Sequence, residues 1–204
     1  ADGWNLHPEH FSERHGLFVI IALGETQIVA AGSVTGAEWT TMLLAVAVLA
    51  VVITCGWWWS YFSRAKPMLD QALETCDDGD RTKLARDVFS LLHFPMMLGV
   101  IAYAVAIEEV ALHPDEPMSM AARVALAVGL ALFVGGMAVA VWRATRRVLV
   151  LRLAVVTLSG IGIIALSAVS PLVTMSIALL AVVIIAFAEE HTLKRIDEMA
   201  VDVT

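Results

Sequence analysis

Apolar residues occur in six long runs along this chain, and short polar or charged segments separate them. Each run is close to the roughly 17–25 residues that a transmembrane helix requires. The pattern therefore predicts an all-α transmembrane helical bundle that forms one domain over residues 1–204. The predicted spans cover residues 17–34, 41–62, 88–111, 121–142, 148–169 and 171–188.

Two of the connections between spans have an informative composition. Residues 63–87 form the long connection, which Pro67 and an acidic run at 77–80 mark as an aqueous loop. Within it, residues 68–76 are expected to form a short surface helix. The dipeptide Ser170-Pro171 predicts a tight turn, so the last two spans should form a helical hairpin.

Basic residues predict how the spans are oriented. With six alternating crossings, all Lys and Arg residues except Arg123 fall on one side of the membrane. The positive-inside rule makes that crowded side cytoplasmic, with both chain termini there. The residues on that side are Arg14, Arg64, Lys66, Arg81, Lys83, Arg86, Arg143, Arg146, Arg147, Arg152, Lys194 and Arg195.

Composition narrows the class of protein further. Hydrophobic residues make up 59% of the chain, whereas roughly 45–50% is usual in soluble domains. The net charge of −7 argues against nucleic acid as a partner, because nucleic-acid binding favours a basic face. Cys55 and Cys76 have no neighbouring cysteine and predict neither a disulfide nor a metal site. The triplet at 57–59, three tryptophans, is interpreted as an interfacial aromatic belt rather than a cofactor-stacking site.

Glu25 is the most unusual residue, since it interrupts the first apolar run. Its carboxylate lies roughly 12 Å beyond Leu17 along a helix, inside a bilayer core of about 30 Å. A carboxylate at that depth costs roughly 2.5–3.5 kcal/mol, so it needs a partner or a polar cavity. An ion- or proton-handling acid and a buried structural acid both fit this position. Gln27, close by, is a candidate interhelical hydrogen-bonding residue.

The third span carries further polar candidates. His93 lies near its predicted cytoplasmic end, and Glu108 and Glu109 lie near its outer end. Pro95 lacks a backbone donor and predicts a kink that frees the carbonyl of Leu91, which the His93 imidazole could bind. Two interpretations of these side chains stay open. They could be relay groups for transport, or His93 could cap the kink while Glu108 and Glu109 are interfacial acids.

Glu25 and His93 are expected to lie close together. Both follow the cytoplasmic start of a span, Glu25 roughly 12 Å and His93 roughly 7.5 Å inside it. Each is unfavourable alone in hydrocarbon, so pairing or shared water would lower the energy of both. Glu13 and Arg14, at the mouth of the first span, would lead into the same polar region from the cytoplasm.

The sequence contains no recognisable motif for metal binding or for nucleophilic catalysis. His7, His10 and His15 lack the spacing of a helical zinc site, and no serine lies in a nucleophile-elbow motif. These patterns predict no metal, no cofactor and no enzymatic activity. The fourth span instead contains small residues every four positions, which predict a helix-packing seam. They form two series, Ala121, Ala125 and Gly129, and Ala127, Ala131 and Gly135.

Several of these residues resemble motifs of the bacterial low temperature requirement protein A family. The resemblance covers most of the chain and weakens after Arg143. This sequence has Ser63 where members usually carry an acid, and members are about twice as long, so the chain resembles their second half. The matching residues are the run from His10 to Phe18, Leu23-Gly24-Glu25, Trp58-Trp59-x-Tyr61-Phe62, Ala85-Arg86-Asp87, His93-x-Pro95, Gly99, Glu108, Glu109 and His113-Pro114.

The resemblance implies a multi-pass bacterial inner-membrane protein linked by name to growth in the cold, without an established activity. From the intramembrane residues we expect transport of an ion, a proton or a small solute, with Glu25, His93 and Glu108 as relay groups. The alternative is a non-catalytic structural or accessory membrane protein in which these groups lock helices together. Expected partners are membrane lipids and either a second copy of the chain or a missing amino-terminal half, because the sequence begins without Met.

Overall fold

The computed structural model describes the backbone of residues 8–201 and, within it, the side chains of residues 9–77, 79–188 and 190. All regular secondary structure in this range is helical, which confirms the all-α prediction. The α-helices are α1 Pro8–Ser33, α2 Thr41–Ser60, α3 Lys66–Glu74, α4 Asp78–Ala85, α5 His93–Leu112, α6 Met120–Leu130, α7 Gly136–Thr145, α8 Val150–Ala165 and α9 Pro171–Val201. His7 lies outside the described residues, as do the side chains of Lys194 and Arg195.

Three π-helical turns interrupt the longer helices. The turn Tyr61–Ala65 joins α2 to α3, Arg86–Leu91 precedes α5, and Ala131–Gly135 joins α6 to α7. Such turns widen the helix by one residue and occur frequently at functional sites. The second turn ends just before His93, so the irregularity expected near Pro95 lies on the amino-terminal side of the proline.

Five helical segments in the described range are long and apolar enough to cross a membrane. They are Glu9–Ser33, Thr41–Glu74, Gly79–Leu112, Met120–Thr145 and Pro171–Ala188. The fifth predicted span, 148–169, corresponds to the shorter apolar helix α8, whose 16 residues extend about 24 Å. Membrane-spanning character is thus supported for five segments, and α8 falls short of a bilayer core of about 30 Å.

The segment 63–87 is more regular than predicted, and the short helix expected at 68–76 corresponds to α3. Most of this segment is helical, and α3 packs against α1 and α7 with Leu69 and Leu73 only 2% and 1% exposed. Pro67 lies in the first turn of α3, directly after the π-helical turn Tyr61–Ala65, where the regular helical hydrogen bonding is already interrupted. Leu69 and Leu73 follow the i, i+4 spacing of a buried helix face. Only residues 75–77 separate α3 from α4.

Two glycines hold α5 and α6 in close contact. A Cβ atom on Gly99 would lie 2.8 Å from the backbone N of Phe133 and 2.9 Å from the carbonyl O of Gly129. A Cβ on Gly129 would likewise lie 2.9 Å from the Gly99 carbonyl O. Gly129 therefore packs as the small-residue pattern of the fourth span predicts. A Cβ on Gly135, from the second series, would meet nothing within 4 Å.

Ion pairs and a buried arginine mark the two ends of the bundle. At the end where α1 and α5 begin, here called the basic end, Asp87 binds Arg143 at 2.7 Å and Arg86 at 2.8 Å. At the opposite end, the buried Arg123 donates a hydrogen bond to the carbonyl of Ile164, in the last turn of α8. Carbonyls in the last turn of a helix have no partner within the helix, so Arg123 closes the α6–α8 contact.

Candidate functional site

A buried tyrosine–histidine pair lies between α2 and α5 near the basic end. Tyr61 is 0% exposed and His93 is 4% exposed. The His93 Nδ1 atom lies 2.9 Å from the carbonyl O of Val88, and its Nε2 atom lies 2.8 Å from the Tyr61 hydroxyl. A carbonyl can only accept, so Nδ1 carries the proton and Nε2 of the neutral ring accepts a hydrogen bond from Tyr61. The expected bond to the Leu91 carbonyl is replaced by this bond to Val88.

A second histidine extends this pair toward the molecular surface. The ring of His15 lies 5.5 Å from the ring of His93, and Nδ1 of His15 lies 2.8 Å from the Phe11 carbonyl O. Phe89 contacts both histidines, with ring centroids 5.5 Å from His93 and 5.6 Å from His15. A cavity of about 530 Å³ between α1 and α5 is lined by His15, His93 and Arg14 among other residues. His93 therefore lines this cavity, whereas Tyr61 lies behind it and does not.

A second polar group lies deeper between α1, α2 and α5. Gln27 Nε2 donates to Thr54 Oγ1 at 2.6 Å, and Thr54 Oγ1 lies 3.3 Å from the Tyr103 hydroxyl. The hydroxyls of Thr54 and Tyr103 each lie 2.9 Å from the carbonyl O of Ala50. Gln27 thus joins two helices by hydrogen bonding, in agreement with its predicted role.

Trp57 lies between the two groups, and its interpretation as an interfacial residue is wrong. It is 0% exposed, and its ring stacks on Phe133 at 4.6 Å and lies 4.7 Å from Tyr103. Its buried indole N–H has no hydrogen-bond partner within the described part of the chain. The other two tryptophans fit a belt, because Trp58 is 45% exposed and Trp59 lies 5.2 Å from the Arg64 guanidinium.

The two groups, with Trp57 between Thr54 and Tyr61 on one face of α2, are together called the polar column: His15, Gln27, Thr54, Trp57, Tyr61, His93 and Tyr103. From His93 to Tyr103 the column extends about 15 Å along α5. Sequence reasoning missed five of its members. A signal was present, because Thr54, Trp57 and Tyr61 follow the i, i+3, i+7 spacing of one helix face.

Glu25 lies outside the polar column. Its side chain is exposed on the outward face of α1, between the exposed Ile21 and Ile28. The expected proximity to His93 is a wrong prediction, because His93 contacts His15, which precedes Glu25 by about 15 Å along α1. A structural acid buried against a neighbouring helix is equally inconsistent with this exposure.

The two acids of α5 differ in their surroundings. The Glu109 carboxylate accepts hydrogen bonds from the backbone N and the hydroxyl of Ser119, at 2.9 and 2.8 Å. Ser119 in turn caps α6 through the backbone N of Ala122, so Glu109 fixes the loop between α5 and α6. Glu108 is half-buried. It lies about 7.5 Å beyond Tyr103 and about 22 Å beyond His93 along α5.

The two residues predicted at the mouth of the first span, Glu13 and Arg14, have different surroundings. Arg14 lines the cavity between α1 and α5, whereas Glu13 is exposed beside His10, with 3.5 Å between carboxylate and ring nitrogen. Below them, the buried Ser12 donates to Asp70, which also binds Lys66 at 2.6 Å and so joins α1 to α3. Among the described residues, no three His, Cys, Asp or Glu side chains are grouped to hold a metal ion.

Comparison with known proteins places the chain in a family. Residues 1–188 match the family described as bacterial low temperature requirement A protein. An uncharacterized protein of Rhizobium meliloti is 34% identical over 111 residues, which are 52% of this chain and 25% of that protein. The matched segment therefore covers about a quarter of that relative. No solved structure matches the chain.

Proposed function

Since the chain belongs to the bacterial low temperature requirement A family, we propose that it is a multi-pass inner-membrane protein that transports an ion, a proton or a small solute. In this proposal the polar column is the path, and no enzymatic step is involved. The observation that carries it is the buried Tyr61–His93 pair, which adjoins the cavity lined by Arg14 and His15. Intramembrane ionisable residues mark ion or proton pathways by default.

The proposed topology has six spans with both termini in the cytoplasm. It is supported by the Lys and Arg distribution along the sequence and by the ion pairs at the basic end, where Asp87 meets Arg86 and Arg143. In this topology α8 is a sixth, short crossing, with a thinner local bilayer or flanking arginines compensating for its length. The basic end then faces the cytoplasm.

Protonation of His93 would switch the hydrogen bonding of the column. In the neutral state, the Tyr61 hydroxyl donates to Nε2 of His93. A proton added at Nε2 makes that nitrogen a donor, so the Tyr61 hydroxyl must then accept from it and donate elsewhere. The Trp57 indole N–H can only donate, so the proposal requires a water beside it that accepts from both Tyr61 and Trp57 and donates on toward Thr54.

The alternative function is a non-catalytic structural or accessory role in the membrane. The group formed by Gln27, Thr54 and Tyr103 favours it, because short hydrogen bonds between helices also stabilise membrane bundles without any transport. The two functions differ in whether protonation of His93 is coupled to movement of a proton or an ion across the membrane.

Flux into proteoliposomes tests the proposal. Purified protein is reconstituted, and proton and cation fluxes are measured under a pH gradient with several cations. We expect flux above that of empty vesicles, and loss of that flux in His93→Gln, because the amide retains hydrogen bonding but cannot carry a proton. The matched control is His113→Gln, an exposed histidine outside the column. Flux that matches empty vesicles under all conditions would favour the structural role.

A further inference from the structure

A second cavity lies at the basic end and shares no lining residue with the cavity beside His93. It has a volume of about 540 Å³ and lies between the π-helical turn Tyr61–Ala65, the end of α7 and the start of α8. Most of its wall is apolar, with Met68 and Leu151 among the contributing side chains. Three arginines, Arg64, Arg147 and Arg152, line the same cavity.

The three arginines differ in their exposure and in their contacts. Arg64 packs its guanidinium over the ring of Trp59 at 5.2 Å, and its Nε is buried without a hydrogen-bond partner in the described part of the chain. Arg147 is exposed. Arg152 is 2% exposed and lies 3.8 Å from the sulfur of Met137, so it forms the inner wall. A buried guanidinium N–H without an acceptor is unfavourable, which favours an anionic ligand beside Arg64.

We propose that this cavity binds one anionic phospholipid, whose phosphate contacts Arg64 and Arg147 and whose acyl chain covers the apolar wall. Guanidinium groups bind phosphate oxygens through charge-assisted hydrogen bonds, and basic cavities between membrane helices bind anionic headgroups. Trp59 beside Arg64 and the partly exposed Trp142 at the same end fit the level of lipid headgroups. An apolar wall beside two cationic groups matches a lipid better than a soluble anion. This site is separate from the polar column and does not depend on transport.

Native mass spectrometry of the full chain in detergent tests this proposal. Phosphatidylglycerol and phosphatidylcholine with identical acyl chains are added, and the ratio of their adducts is measured. We expect the wild type to favour phosphatidylglycerol, and Arg64→Gln/Arg147→Gln to lower that preference by roughly 30-fold, about fivefold for each arginine near a membrane surface. The single variant Arg147→Gln, at an exposed position, supplies the same readout if the double variant does not fold.

The matched control is Lys83→Gln/Arg146→Gln, which removes two positive charges from exposed positions outside the cavity. It should retain the lipid preference of the wild type. Equal phosphatidylglycerol and phosphatidylcholine adducts on the wild type would overturn the proposal, and so would an equal loss in the control. Displacement of the lipid by glycerol phosphate at the same concentration would also overturn it, because the site would then bind a soluble anion.

Discussion

Substitution of Gly99 by alanine should weaken the bundle at the α5–α6 contact. The new Cβ would lie 2.8 Å from the backbone N of Phe133 and 2.9 Å from the carbonyl O of Gly129. Both neighbours are backbone atoms, so the clash is relieved only if the two helices move apart. Overpacking of this kind costs about 1–3 kcal/mol, while alanine gains about 0.8–1.0 kcal/mol over glycine in a helix. We therefore expect a net loss of up to about 2 kcal/mol.

The matched control is Gly162→Ala in α8, where a Cβ would meet nothing within 4 Å. There the helix propensity acts alone, so this variant should be as stable as the wild type or more stable by up to about 1 kcal/mol. Thermal unfolding in detergent micelles, followed by loss of helical circular dichroism, gives the order of stability. If Gly99→Ala is as stable as Gly162→Ala, the close approach of α5 and α6 is refuted.

Four further substitutions test the site and the topology. Tyr61→Phe leaves Nε2 of His93 buried without a donor, so thermal unfolding should show a loss of about 1–3 kcal/mol, and unchanged stability would contradict the hydrogen bond. The free energy of unfolding of Glu25→Gln should lie within about 0.5 kcal/mol of the wild-type value, because the side chain is exposed. A larger loss of stability would indicate a structural acid. In a cysteine-free background, Asp115→Cys should react with an impermeant thiol reagent from outside and Gly79→Cys should not; outside labelling of Gly79→Cys would reverse the proposed topology.

Apolar run length predicted the helical class well, because twenty or so apolar residues have few stable alternatives in a membrane. The short helix at α3 was expected on the surface, although Leu69 and Leu73 are spaced as a buried face and are buried. Proline marks the start of a helix as readily as its end. Gly129 was predicted to pack closely, and it does, because small residues at four-residue spacing face a neighbouring helix.

The candidate site was less predictable than the fold. His93 was identified from its own position, but its partners Tyr61 and His15 come from other helices. A single sequence indicates which residues share a helix face, but it does not show which faces of different helices meet. Glu25 was therefore expected to be the partner of His93, although it is exposed. Trp57 was grouped with the two tryptophans that follow it, although helix rotation of about 100° per residue points the three in different directions.

The central claim is that the polar column is a hydrated path rather than a closed set of hydrogen bonds. Radiolytic hydroxyl labelling of the protein in lipid nanodiscs tests it directly, because the short-lived radical oxidises side chains that lie beside water. Mass spectrometry would compare the fully buried Trp57 with Trp39, which is 69% exposed. We expect oxidation of both residues, because a hydrated path would supply water as the acceptor for the unpartnered indole N–H of Trp57. Oxidation of Trp39 with none at Trp57 would contradict the hydrated path and support the structural role.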